Sequence, residues 1–245
     1  MKVNLKRIFA GIGILLVVGY LLAMAVWGGA HRDERECRAI QIEITDLDKR
    51  QYVTTDELLL LLRREQLYPV GVPLTQVSTQ AIEDAIEAHD MVREAQVVIT
   101  PLGNVRVRLE QRVPVLLVLT PGESYYIDRD RRRMPVRPSI KTTVLMAEGS
   151  ISEKMAETIL ADMALDITED EYWQERIRSI EVANPKSVAL VQKPDGTRII
   201  LGSPEDYAAK LQRLRTLYEE GFDKVGWQTY RQLDLRYNDQ VVGRK

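Results

Sequence analysis

Residues 92–115 read VREAQVVITPLGNVRVRLEQRVPV. A β-branched run from Val92 to Thr100 meets the turn residues Pro101-Leu102-Gly103-Asn104, and Val105, Val107 and Leu109 then alternate with Arg106, Arg108 and Glu110. Successive strand side chains point to opposite faces, so this alternation predicts a β-hairpin with one buried and one wet face. The buried face needs a cover, and the residues upstream supply it.

Ile40, Ile42 and Ile44 alternate with Gln41 and Glu43, the period of another half-buried strand. Thr54 and Glu57 have capping-box spacing, and Leu58, Leu61 and Leu62 follow at helical spacing. Tyr68-Pro69-Val70-Gly71-Val72-Pro73 interrupts that helix. A second one is expected from about Ser78 to Asp90, with Ile82, Ala85 and Ile86 on its apolar face and Glu83, Asp84 and Glu87 on its wet face. His89 closes it as a surface residue. Residues 38–115 thus give strand, helix, helix, strand, strand, a small α+β unit with helices on one face of a sheet.

Further upstream, residues 8–27 read IFAGIGILLVVGYLLAMAVW, without a charge. A helix of that length spans about 30 Å, the thickness of a bilayer core. The run exceeds the h-region of a cleaved signal peptide, so an uncleaved anchor is expected, with residues 1–7 as a cytoplasmic tail and 28–37 as a linker. Tyr20 and Trp27 sit toward its far end, where amphipathic aromatics prefer the headgroups. The 245 residues carry 34 Lys plus Arg against 36 Asp plus Glu. Removing Lys2, Lys6 and Arg7 leaves 31 against 36, a net of −5 beyond the anchor. A surface of that sign does not suit a phosphate backbone, which argues against nucleic acid. One cysteine, Cys37, and two histidines, His31 and His89, argue against disulfides, thiolate or histidine-rich metal sites, and no cofactor motif is present.

Downstream, residues 116–245 are expected to form a β-rich region covered by two helices. Val115–Leu119 and Ser124–Asp128 flank the turn residues Thr120-Pro121-Gly122-Glu123. Ala156, Leu160, Met163 and Ile167 fall on one face of a helix over 152–166. Ile180–Ala183, Ser187–Lys193 and Thr197–Gly202 read as strands, the last two joined by Pro194-Asp195-Gly196. Ser203 is expected as the N-cap of a helix whose stripe is Tyr207, Leu211, Leu214 and Tyr218, stopped by Gly221. Arg129, Arg131, Arg132 and Arg133 form the densest basic cluster, read chiefly as a solvated hairpin tip. Asp128 and Asp130 have D-x-D spacing but no supporting phosphate loop, and Glu169-Asp170-Glu171 reads as solvated charge in a polar connection. Finally Leu233, Leu235 and Tyr237 alternate with Gln232, Asp234 and Arg236, and Asn238-Asp239 separates them from Val241-Val242.

The order of these parts resembles the FtsQ/DivIB family of bacterial cell-division proteins over the whole chain. Val92-Arg93-Glu94-Ala95-Gln96-Val97 fits the V-x-x-A-x-V of that family's POTRA module, Pro101 fits its proline before the last strand, and Arg112 with Pro114 fits its R-x-P. Tyr125-Tyr126-Ile127-Asp128 fits an aromatic strand ending in Asp, and Asp234-Leu235-Arg236-Tyr237 fits D-[LM]-R-Y. Departures are Asp46 for a glycine, Asp90-Met91 for a proline, and Arg131 for the glycine of the turn after Asp128.

The resemblance implies a non-enzymatic divisome scaffold of the cell inner membrane at the division site, single-pass with its N-terminus cytoplasmic, that helps control septal peptidoglycan synthesis. It implies binding of the FtsB-FtsL pair by the C-terminal β region, and of FtsK, FtsW and FtsI through the POTRA-like unit or the anchor, which also contacts lipid. The expected contact residues are Leu233, Asp234, Leu235, Arg236, Tyr237, Val241 and Val242, with Arg236 as a charge pair and Tyr237 as an aromatic anchor. A last strand is a candidate sheet edge, open to β-augmentation, while period-2 parity alone would put Tyr237 in the core with Leu233 and Leu235. The other classes weighed are a membrane-anchored cell-wall glycan enzyme using Asp128 and Asp130, and a POTRA-bearing transport component.

Overall fold

The computed structural model describes residues 14–24, 35–45, 51–137, 144–221, 230–237 and 240–245. Residues 14–24 are helical. Among the described residues no helix is long and apolar enough to cross a membrane; the rest of the 8–27 run, the 1–7 tail and Asp46 lie outside them. The chain divides into two units between Gln111 and Arg112.

The first unit contains β1 (Ile40–Ile44), α1 (Thr55–Arg64), α2 (Thr79–Glu87), β2 (Val92–Ile99) and β3 (Val105–Gln111). The sheet order is β1-β3-β2, with β1 parallel and β2 antiparallel to β3. Both halves of the expected capping box form: Glu57 N–H donates to Thr54 Oγ1 (3.2 Å), and Thr54 N–H to Glu57 Oε2 (2.9 Å). This satisfies two of the donors that a helix start leaves unpaired. Leu58 and Leu62 of α1, Ile82 and Ile86 of α2, and Val97, Val107 and Leu109 of the sheet are all buried, and α2 packs on β2. The buried Gln111 Oε1 accepts from Tyr52 N–H (2.7 Å) and Val53 N–H (3.0 Å), pinning the approach to α1 onto the end of β3. At the hairpin tip Gly103 has φ +81°, a left-handed conformation that suits glycine.

Two boundaries differ from expectation. The second helix ends at Glu87 rather than Asp90, because the chain turns there and Met91 N–H donates to His89 Nδ1 (3.3 Å). The unit also begins before Arg38. Glu36 bridges Pro73, and buried Cys37 exchanges backbone bonds with Val72 and Gly71, so the tail of the expected linker belongs to the domain.

The second unit is a nine-stranded mixed sheet, built from β4 (Pro114–Leu119), β5 (Ser124–Asp128), β6 (Arg133–Pro135), β7 (Leu145–Gly149), β8 (Ile177–Asn184), β9 (Ser187–Gln192), β10 (Arg198–Gly202), β11 (Gln232–Asp234) and β12 (Val242–Arg244). Its order is β12-β11-β10-β9-β8-β7-β4-β5-β6. The step to this unit falls before Val115 because Pro114 already opens β4 and Arg112 is anchored to it: its Nη1 donates to buried Asp128 Oδ2 at 2.7 Å.

The helices are α3 (Glu153–Met155), α4 (Ala161–Glu169), α5 (Glu171–Gln174) and α6 (Tyr207–Thr216). The expected 152–166 helix is therefore longer and interrupted: a π-helical stretch, Ala156–Leu160, joins α3 to α4. Its stripe holds, with Ala156, Leu160, Met163 and Ile167 all fully buried. Asp170, expected in a polar connection, instead caps α5 by accepting from Tyr172 N–H at 2.8 Å. The stripe Tyr207, Leu211, Leu214 and Tyr218 is buried as well, and a π-helical turn, Leu217–Gly221, follows α6. Ser203 does not cap α6. The chain makes a further turn before Asp206, and the Ser203 carbonyl instead accepts from the buried Lys210 ammonium (2.7 Å), which also pairs with Asp206 Oδ1 (2.5 Å).

Candidate functional site: the C-terminal sheet edge

β11 is an interior strand. It runs parallel to β10 on one side and antiparallel to β12 on the other, with Ile200 opposite Asp234 and Asp234 opposite Val242. The expectation that the Gln232–Tyr237 strand forms the edge is corrected: the edge is β12.

The cause is local. After Asp234 the chain leaves the strand, because Arg236 N–H donates to Asp234 Oδ1 (3.1 Å), an Asx turn of the kind Asp favours. Arg236 then folds back, Nε donating to Oδ1 (2.9 Å) and Nη2 to Oδ2 (2.6 Å). Those bonds hold the Asp234 carboxyl below its ordinary pKa and raise that of Arg236. From α6, Arg213 donates Nη1 to the Tyr237 carbonyl (2.7 Å) and Nη2 to the Leu235 carbonyl (3.3 Å). The turn lies close over β10: a Cβ on Gly202, at φ +71°, would come within 2.8 Å of Arg236 Cγ.

The expected contact residues therefore part into two groups. Leu233, Asp234 and Leu235 are buried, the two leucines in the main core with Leu201 and Leu214. Arg236 has its guanidinium engaged by Asp234. Tyr237 is 49 % exposed, so the parity that would place its ring in the core fails once the turn breaks the period. Val241 and Val242 are half-buried, and Gly243, Arg244 and Lys245 are exposed. Gly243 sits against the Tyr230 ring, which an added Cβ would meet at 2.6 Å. Tyr237, Val241 and Val242 are the expected residues left with apolar surface at the edge hairpin.

The carboxylate pair of the enzyme reading lies at the other end of the sheet. Both oxygens of Asp128 are engaged, Oδ2 by Arg112 and Oδ1 by Arg132 N–H (2.7 Å). The basic cluster beside it faces carboxylates: Arg129 pairs with Glu169 (3.1 Å), Arg131 with Asp162 (2.7 Å), and Arg133 with Glu123 while stacking over the Tyr125 ring at 4.2 Å. Arg131 takes φ +63° in the turn where the glycine of the resemblance stands.

Sequence reasoning missed a second arrangement. Glu83 and Glu87 of α2, assigned to a wet helix face, hydrogen-bond the backbone of β2. The only signal was their i, i+4 spacing beside a strand, which solvated helices share.

These features define an α+β chain of two modules, a POTRA-like unit followed by a β-rich unit in which β12 is the outer strand among the described residues. A family model described as POTRA-like domain matches residues 35–110, and one described as FtsQ/DivIB, C-terminal related, matches residues 113–244. The cell division protein FtsQ of Rhodothermus marinus is 24% identical over 203 residues, covering 75% of this chain and 71% of that protein. The chain belongs to the FtsQ/DivIB family of cell-division proteins.

Proposed function

We propose that this chain is a non-enzymatic division scaffold of the inner membrane that holds the FtsB-FtsL pair at the β11–β12 end of its sheet. The observation that carries the reading is the β12 edge, which no further strand covers among the described residues, beside an exposed tyrosine. Unpaired backbone groups of an edge strand accept another chain by β-augmentation, and a tyrosine supplies large contact area at low entropic cost. Arg213 and the Asp234–Arg236 pair hold the turn that presents Tyr237, so the site is organised before a partner arrives. Residues 8–27 would anchor the chain with its two units outside the cytoplasm. FtsK, FtsW and FtsI contacts through the POTRA-like unit or the anchor, and control of septal peptidoglycan synthesis, complete the proposal.

A photo-cross-linking residue placed at Val242 in the full chain, in dividing cells, tests it. Adducts with FtsB are expected there and not from the same probe at Leu102, an exposed residue of the first unit. Equal or absent labelling at the two positions would contradict the assignment.

A further inference from the structure

The three-stranded sheet of the first unit has an edge of its own, and its treatment is unlike that of β12. β2 is one of its two outer strands, paired on one side with β3 through Gln96 opposite Arg108, Val97 opposite Val107 and Val98 opposite Arg106. The N–H groups of Ala95 and Val97 point the other way, where a further strand would bind. Both are occupied. Ala95 N–H donates to Glu87 Oε1 at 2.9 Å and Val97 N–H to Glu83 Oε1 at 2.6 Å.

The match is geometric. Four residues along a helix advance about 6 Å, and two along a strand about 6.6 Å, so i, i+4 carboxylates meet the outward donors of residues i and i+2 one for one. α2 runs antiparallel to β2, which puts the earlier glutamate on the later strand residue. A bond from an amide to an ionised carboxylate is stronger than the neutral amide–carbonyl bond that strand addition would offer.

We infer that Glu83 and Glu87 guard the β2 edge against pairing with a second copy of this chain. The occupant follows from the strand itself. Two β2 edges related by a two-fold axis through Gln96 put Ala95 of one copy opposite Val97 of the other, and the four inter-strand bonds so formed use the same donors the glutamates now hold. The row is self-complementary. The pairing would also cover Val98 and Ile99, which are 54 % and 37 % exposed. An edge carrying apolar side chains of this kind invites association unless its donors are occupied or its approach is charged, and here one pair of carboxylates does both.

The test uses the full chain in detergent micelles. Cys37, the single cysteine, is 2 % exposed, so a cysteine introduced at exposed Gln96 reports the two-fold contact as a disulfide. Q96C alone is expected to stay monomeric under mild oxidation. Q96C with E83A and E87A is expected to become mainly disulfide-linked dimer. Q96C with E83Q and E87Q, which keeps a side-chain carbonyl at both places, should remain largely monomeric. Amide exchange, read without the Q96C change at a dilution where E83A/E87A is monomeric, separates guarding from general loosening: Ala95 and Val97 should there exchange at least about tenfold faster than in the wild type, with Gln96 and Val98 unchanged. Faster exchange along the whole β2–β3 ladder would reduce the glutamates to helix-packing residues. Freed Ala95 and Val97 amides without a dimer would equally overturn the inference.

Discussion

The edge at β2 and the edge at β12 pose the same problem, a row of backbone groups with no neighbouring strand, and the chain answers it in two ways. At β2 a helix lies alongside and its glutamates fill the outward donors. At β12, among the described residues, no side chain hydrogen-bonds the strand backbone, and the strand ends at exposed Arg244, with Lys245 after it. Two copies approaching through β12 would bring like charges together, which disfavours self-pairing but leaves the backbone free for a chain of a different kind. That one edge is guarded and the other bare among the described residues is the contrast on which the proposed interface at β12 rests.

The comparison is broken most easily from within the edge hairpin. Leu235 is fully buried in the main core, so Leu235→Ala should cost about 2–5 kcal/mol in chemical denaturation of the second unit. Tyr237→Ala should change stability by less than about 1 kcal/mol. Equal costs would mean that the turn does not separate the two residues as described.

A finer test uses acid. The Asp234 carboxyl lies below its ordinary value in the folded chain because Arg236 hydrogen-bonds it. A depressed carboxyl contributes stability that is complete above its unfolded value, near pH 3.9, and is lost as pH falls through the lower folded value. Asp234→Asn lacks that contribution. The wild type's stability advantage over the variant should therefore be full at pH 6 and shrink below about pH 4. A gap that stays constant between pH 6 and pH 2.5 would show that the Arg236 bonds add nothing to the turn.

The smallest effect is expected at the opposite edge of the large sheet, where Arg131 holds φ +63°. Glycine reaches that conformation without the side-chain penalty, while Arg131→Gly also gives up the exposed ion pair with Asp162. A net gain of up to about 1 kcal/mol is expected in thermal unfolding. A loss larger than that would show the pair with Asp162 outweighing backbone strain.

What could be read in the sequence was local. The Thr54–Glu57 box, the 92–111 hairpin and the Tyr207, Leu211, Leu214, Tyr218 stripe each follow from residues a few positions apart. β7, Leu-Met-Ala-Glu-Gly, carried no strand signal. It is fixed by parallel partners distant in sequence, β4 and β8, and by Gly149 at φ +120°, where a Cβ would lie 2.1 Å from the Val182 carbonyl oxygen. The Gln232–Tyr237 run looked like one strand because period-2 patterning does not register a side chain that competes for a backbone donor. Asp234 is that competitor, and it moved Tyr237 from the expected core face to the surface. The residues of the site were thus legible as a segment but not as a surface. The guard at β2 was invisible for a related reason, since a glutamate facing water and one facing an unpaired amide occupy the same helical positions.

The central claim is that the β12 edge and Tyr237 hold the FtsB-FtsL pair. The direct measurement is the affinity of full-length chain for FtsB-FtsL, wild type against Tyr237→Ala, both checked by circular dichroism for an intact fold. A loss of about 30-fold, some 2 kcal/mol, is the result expected of an aromatic anchor at an augmented edge. Unchanged affinity with the fold intact would contradict the account and move the partner away from this edge.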